Sequence, residues 1–379
     1  MAAPDALLPA DGNSRRANPR RVRRVIARIV SATIVAAVVV FALTPTGCYL
    51  SRAGWEEAQI LGRRRPIARI VADSAVDVPT RAKLALVLEA RDYARHTLGL
   101  EVGESFTTFS RLERDTLVLV VSAAHRDRLE PYTWWFPIVG RVPYKGFFDF
   151  GGARDLAARL AREGYDVYVR PASAFSTLGW FNDPLLSTTL AADSLDLVNT
   201  VIHEVTHNSY YGSGQAVFNE SFANFVGARG AEAFFRARGD SAGARETVLR
   251  WEDEKLLARF WTHLYESLDS AYKANPGDRG ARLAARDTVY RRARATLVST
   301  IGPRLRTMPA RYAERVALDN AALLARRVYL TDLEIFDQAY HREGDNLRVT
   351  IERIIGLARS AKGDPFVALR AWLGSPPGR

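Results

Sequence analysis

The spacing of apolar and polar positions changes several times along the chain, and each change marks an element. An uncharged apolar run, Ile29 to Leu43, comes first, and sequence without charge continues to Leu50. Gly54 to Arg65 opens with helical spacing. Thr80 to Leu98 puts Leu84, Val87, Leu88 and Ala94 on one face, which predicts an amphipathic helix capped by Thr80. Thr116 to Ser122 and Tyr165 to Arg170 are β-branched runs of strand length. Between them, Tyr132 to Asp149 is aromatic, is broken by Pro and Gly, and reads as core rather than as a substrate box. Ala174 to Phe181 reads either as an edge strand for an extended peptide or as a core strand, with a turn at Asn182-Asp183-Pro184. Leu195, Val198, Ile202 and Val205 then form an apolar helical stripe, with Ser194 as the expected N-cap. Beyond Arg229 the pattern is almost wholly helical, with breaks at Pro276-Gly277-Asp278 and Gly302-Pro303. Two amphipathic stretches there, Trp251 to Leu264 and Asp287 to Leu297, are suited to covering a cleft or meeting a partner. A small sheet followed by helices predicts an α+β fold.

Composition narrows the picture. With 379 residues, 47% hydrophobic and 25% charged, the chain is of ordinary globular type, and its single Cys excludes an internal disulfide. The net charge of +11 is uneven: seven Arg between positions 15 and 28 face only Asp5 and Asp11, so nearly half the surplus lies before the apolar run. No basic stripe interleaved with aromatics follows, which argues against a nucleic-acid partner. An Arg cluster, an apolar stretch and Pro45-Thr46-Gly47-Cys48 instead have the layout of an export leader. Two outcomes stay open: a bacterial lipoprotein anchored through a lipidated Cys48, or an uncleaved signal-anchor. Either puts the rest of the chain on the exported, periplasmic side of the cell envelope, tethered to the membrane.

The chemistry-bearing segment is Val201-Ile-His-Glu-Val-Thr-His207. On a helix, His203 and His207 are i and i+4, about 40° apart around the axis, and Glu204 is about 60° from His207. Two imidazoles and an adjacent carboxylate converge there, the pattern of a zinc site with a neighbouring general base. The plainer alternative is an amphipathic helix whose polar face happens to carry two His. A catalytic zinc takes three protein ligands and keeps one position open. After a Gly-rich loop, Glu220 stands in Phe218-Asn219-Glu220-Ser221-Phe222-Ala223-Asn224. A helix there has Phe218, Phe222, Phe225 and Val226 on one face, and Ala216, Ala223, Asn224 and Gly227 around Glu220 on the other, so Glu220 is the candidate third ligand. His96, His125, His263 and His341 fall in no ligand spacing.

His203-Glu204-x-x-His207 followed by Asn219-Glu220-Ser-Phe-Ala resembles the gluzincin metallopeptidases, and the second string resembles the aminopeptidase N group, with a shorter gap. The chain is more similar to the bacterial family called putative aminopeptidases, lipoprotein-like envelope proteins. That resemblance runs through Gly47-Cys48, Arg65-Pro66-Ile67, Pro131 to Gly140, Tyr144 to Phe148, Phe175 to Leu186, Asp319 to Ala322 and Gly344-Asp345. Phe175 and Asn182 depart from it, where Tyr and Asp are expected, and Asn224 stands where related gluzincins often place Asp. It implies a zincin-like catalytic domain, with a small mixed sheet and active-site helices, followed by a mainly helical C-terminal region. The expected layout is a leader or anchor at 1–48, a catalytic region at 49–229 and a helical region at 230–379.

The resemblance also implies a peptide substrate and one Zn²⁺ per chain held by His203, His207 and Glu220, with Glu204 as general base. Tyr144 and Tyr329 are candidate transition-state donors, each with a plainer reading as an ordinary core or surface Tyr. Asn224 is either a partner of a ligand His or an amide bound to nearby backbone. Asp183 and Asp319 are candidates for holding a substrate amine. Asn320 and Tyr329 are expected to line the cleft from the far side. The word aminopeptidase rests on the family resemblance alone. The rival reading is a zinc-stabilised, non-catalytic envelope lipoprotein or scaffold.

Overall fold

The computed structural model describes residues 28, 30–33, 44–113, 116–136, 140–172 and 184–375. Most of the apolar run Ile29 to Leu43, and Phe175, Asn182 and Asp183, lie outside them. Among the described residues no helix is long and apolar enough to cross a membrane. The chain divides at 56/57, within the helix Pro45–Gly62, and residues 57–379 form the larger of the two units.

The fold is α+β: helices dominate, with small sheets of two or three strands. The strands are β1 (Arg65–Pro66), β2 (Thr108–Ser110), β3 (Val118–His125), β4 (Trp134–Phe136), β5 (Gly140–Val142), β6 (Tyr144–Phe147), β7 (Tyr165–Ala172) and β8 (Leu185–Leu186). The main sheet has the order β6-β3-β7 and is antiparallel, with Tyr144 and Tyr168 opposite Ser122, and Gly146 and Arg170 opposite Val120. Because side chains alternate across a strand, this register fixes which residues share a face. Leu119, Val121, Ala123, Phe147 and Val167 pack under the helix Phe150–Arg162 through Ala153, Leu156 and Leu160. Tyr144, Tyr168 and Arg170 therefore belong to the other face. A three-stranded sheet β1-β2-β8 and a β4-β5 pair complete the β structure.

The helix expected from Thr80 spans Val78–His96, and its N-terminus is capped by Asp77, whose side chain accepts from Thr80 N. An ionised carboxylate completes the first turn better than a hydroxyl. A similar shift occurs at Ser194–Ser209, where Asp193, not Ser194, accepts from the amides of Leu195 and Asp196. The larger core is built on this helix and on Ala216–Ala237, whose Phe218, Phe222 and Phe225 pack against Phe336. Trp251 to Leu264, read as covering a cleft or meeting a partner, lies on the helix Ser241–Lys273, and Asp287 to Leu297, read the same way, lies on Arg279–Thr296 and reaches the π-turn Leu297–Ile301. Trp251 packs into the larger core, while Trp261, Leu264, Tyr290 and Leu297 close on one another in a second one. The helix Ala216–Ala237 runs through position 229, and 57–379 is one compact unit, so 229/230 marks a change of composition inside a unit.

Candidate metal centre

Local sequence sets the two helices that carry the site. Asp193 caps the histidine helix and also meets Arg250 at 2.9 Å, while Leu197, Val198, Val201, Ile202 and Val205 bury its opposite face. The connection to Ala216–Ala237 is short. Asn219 ties it down, accepting from Gly212 N at 3.0 Å and donating to Gly212 O at 2.8 Å. The residue before Glu220 thus anchors the loop from which the glutamate helix starts. The helices approach closely at Gly227, where a Cβ would stand 2.4 Å from Asn199 Oδ1 and 3.2 Å from the Cβ of His203. Any larger residue there would push the Glu220 helix away from the imidazoles.

His203, His207 and Glu220 each offer a ligand atom, and these atoms lie within 4.8 Å of one another. The carboxylate divides itself between the rings: His203 Nε2 is 3.4 Å from Oε2 and His207 Nε2 is 3.6 Å from Oε1. Ligand atoms about 2.0–2.2 Å from a tetrahedral zinc are separated by roughly 3.3–3.6 Å, so the observed spacings suit such an ion. Burial and then the neighbouring His203 push the His207 pKa down to about 4, which keeps that ring neutral as a ligand must be. Burial opposes charge on His203, but Glu220, Glu204 and Glu254 outweigh it and raise its pKa. Burial opposes charge on Glu220 too. The two imidazoles and Arg170 more than offset this and hold its pKa below the usual carboxylate range. His207 Nδ1 is buried and, among the described residues, has no hydrogen-bond partner. The donor set therefore fits a zinc-type ion.

Around the centre stands a group of phenols. Tyr144, Tyr211 and Tyr329 keep 48%, 56% and 36% of their surface accessible. Desolvation first, and then the charge of Glu220, raises all three phenol pKa values, so each is a protonated donor at neutral pH. The Tyr211 ring also stands edge-on to His207, centroids 5.6 Å apart. Asn224, one turn beyond Glu220, donates to Tyr329 O at 2.8 Å, the backbone-bound alternative of its two expected roles.

The other candidates fall elsewhere. Asn320, expected in the cleft, is fully buried instead. It accepts from Tyr290 Oη at 2.7 Å and donates to His125 O at 2.7 Å, so its amide cross-links the sheet to the helices. Asp319 caps its own helix by accepting from Ala322 N at 2.8 Å. Asp183 lies outside the described residues. Cys48 is exposed and forms no disulfide. A cavity of about 530 Å³ near Tyr132, Trp134 and Lys145 is on the helix-covered side of the main sheet and shares no residue with the centre.

Two charged neighbours have no signal in the local sequence. Arg170 is the cation felt by Glu220 from β7. Glu254, on the helix Ser241–Lys273, lies near His203 and makes no ion pair or hydrogen bond with a described residue. Burial foremost, with Asp196 and Asp253 adding to it and His203 opposing, pushes its pKa up to about 7. A carboxyl that keeps its proton longer when folded loses stability as pH rises from its ordinary value near 4.5 to about 7. Glu254→Gln is therefore expected to stabilise the metal-free protein at pH 8 and to have little effect at pH 5. Urea midpoints at the two pH values check this, and an equal difference at both would contradict it.

Comparisons with curated proteins and with solved structures find no match for this chain. A protein family does match, from the exposed Cys48 through both helices of the centre to Pro365. Residues 48–365 match the family described as Putative aminopeptidase, and the chain belongs to that family.

Proposed function

We propose that the protein is a membrane-tethered zinc metallopeptidase that hydrolyses peptide bonds, with an aminopeptidase as the specific form. Membership of the family makes a peptide the substrate class. The observation that carries the chemistry is the convergence of His203 Nε2, His207 Nε2 and the Glu220 carboxylate within 4.8 Å, next in sequence to a further carboxylate, Glu204.

When bound, zinc supplies Lewis acidity: it polarises a carbonyl and lowers the pKa of water toward neutrality. His203, His207 and Glu220 would hold it. Glu204, one position from His203 on the helix, would take the proton of the attacking water on its carboxylate and pass it to the leaving amine. Tyr144, Tyr211 and Tyr329, all protonated and all within the field of Glu220, are candidate donors to a developing oxyanion. The Arg cluster, the apolar run and the exposed Cys48 support anchoring at the bacterial envelope, with the centre on the periplasmic side.

The test is release of amino acids from short peptides by the zinc-loaded chain, before and after chelation. Hydrolysis that stops on chelation and returns with zinc is expected. A chain that binds zinc, unfolds without it and cleaves no peptide would favour the scaffold reading.

A further inference from the structure

The arginine beside the centre points to a feature of the substrate. We propose that Arg170, with Tyr144 and Tyr329, forms a subsite that binds a carboxylate of the peptide substrate, either its free C-terminus or an acidic side chain. This rests on the peptidase reading and narrows its substrate class.

The strand register places the residues. Arg170 lies opposite Val120, and Tyr144 opposite Ser122, two positions along β3, so both project from the face of the main sheet not covered by the helix Phe150–Arg162. On that face the Arg170 guanidinium stands 5.8 Å from the centroid of the Tyr329 ring. Tyr329 is in turn fixed by its carbonyl to Asn224, one turn from Glu220. The sheet and the glutamate helix thus meet through Arg170, Tyr329 and Asn224.

Charge points the same way. Arg126 pairs with Asp166 and Arg128 with Glu130, but Arg170 makes no ion pair with a described carboxylate. Its field reaches Glu220. Once Glu220 is committed to a metal, this partly buried guanidinium has no described counter-ion. A planar fork of donors flanked by protonated phenols suits a carboxylate, which it can bind in bidentate fashion. In a peptidase the substrate itself brings that group.

The test compares trialanine as the free acid with trialanine amide, and then the amide with aspartate or asparagine at the last position. Each is offered to the zinc-loaded wild type and to Arg170→Gln, Arg170→Lys and Tyr329→Phe. The first pair reads a C-terminal carboxylate and the second an acidic side chain. In at least one pair, the wild type is expected to favour the carboxylate by roughly ten- to hundredfold in kcat/KM, mostly through KM. Arg170→Gln should cost the carboxylate-bearing peptide far more than the neutral one and so remove that preference, Arg170→Lys should restore part of it, and Tyr329→Phe should reduce it.

Calorimetric binding of the same four peptides to full-length Glu204→Gln reads the subsite apart from hydrolysis. Carboxylate-dependent binding there upholds the subsite even where no peptide is cleaved. Equal kcat/KM within both pairs in the wild type, an equal loss for charged and neutral peptides in Arg170→Gln, or binding indifferent to the carboxylate would overturn it.

Discussion

Glu204→Gln is expected to keep its metal and lose peptide hydrolysis by about 10²–10⁴-fold, the range for removal of a general base. Glutamine has the shape of glutamate but cannot accept a proton at neutral pH. The three ligand atoms belong to His203, His207 and Glu220, and the substitution leaves them in place. It removes one of the charges that raise the His203 pKa, so metal binding should if anything meet less proton competition. Zinc content and kcat/KM measured on the same preparation separate the two effects. Retained activity would remove Glu204 from the mechanism, and loss of zinc together with activity would make it a structural support of the site.

The largest stability effect is expected at Asp337, some distance from the chemistry. Its Oδ1 accepts from Arg229 at 2.9 Å, and its Oδ2 accepts from Trp251 Nε1 at 3.0 Å and from Lys255 at 2.6 Å. Asp337 and Lys255 are buried and Arg229 nearly so, and the cluster joins the helices Ala216–Ala237, Ser241–Lys273 and Leu333–Arg342. Asp337→Ala leaves two cations in the interior with only Glu232 and Glu252 beside them. Breaking such a buried pair costs about 3–5 kcal/mol. Arg229 sits nine residues beyond Glu220 on the same helix, so zinc retention should fall with stability. Urea unfolding of the metal-free proteins checks the first effect, and a loss under about 1 kcal/mol would show that the cluster is not held as the geometry indicates.

The histidine helix is legible in the sequence because two local signals coincide there: an apolar stripe of helical period, and His203, Glu204 and His207 at helical spacing. Glu220 is legible for the same kind of reason, as a lone carboxylate among small residues opposite a Phe face. Both cap positions are displaced by one to three residues, since a nearby Asp outcompetes the Ser or Thr that pattern reading selects. Asn320 marks the limit of local sequence. The family resemblance suggests a cleft position for it, but its amide is used up by Tyr290 and the carbonyl of His125, partners far along the chain. Arg170 and Glu254 leave no local trace, because their proximity to the ligands depends on strand register in one case and on helix packing in the other. The amphipathic stretches beyond Arg229 are visible as helices, but their mutual burial in a second core is a tertiary fact.

The most direct test of the central claim is elemental analysis of zinc per chain in the wild type and in Glu220→Ala, with folding of both followed by circular dichroism. One zinc per wild-type chain is predicted, with sharply weaker retention in a folded Glu220→Ala, since the ligand lost is one of three that converge on a single point. No zinc in the wild type, or equal retention without the Glu220 carboxylate, would contradict it.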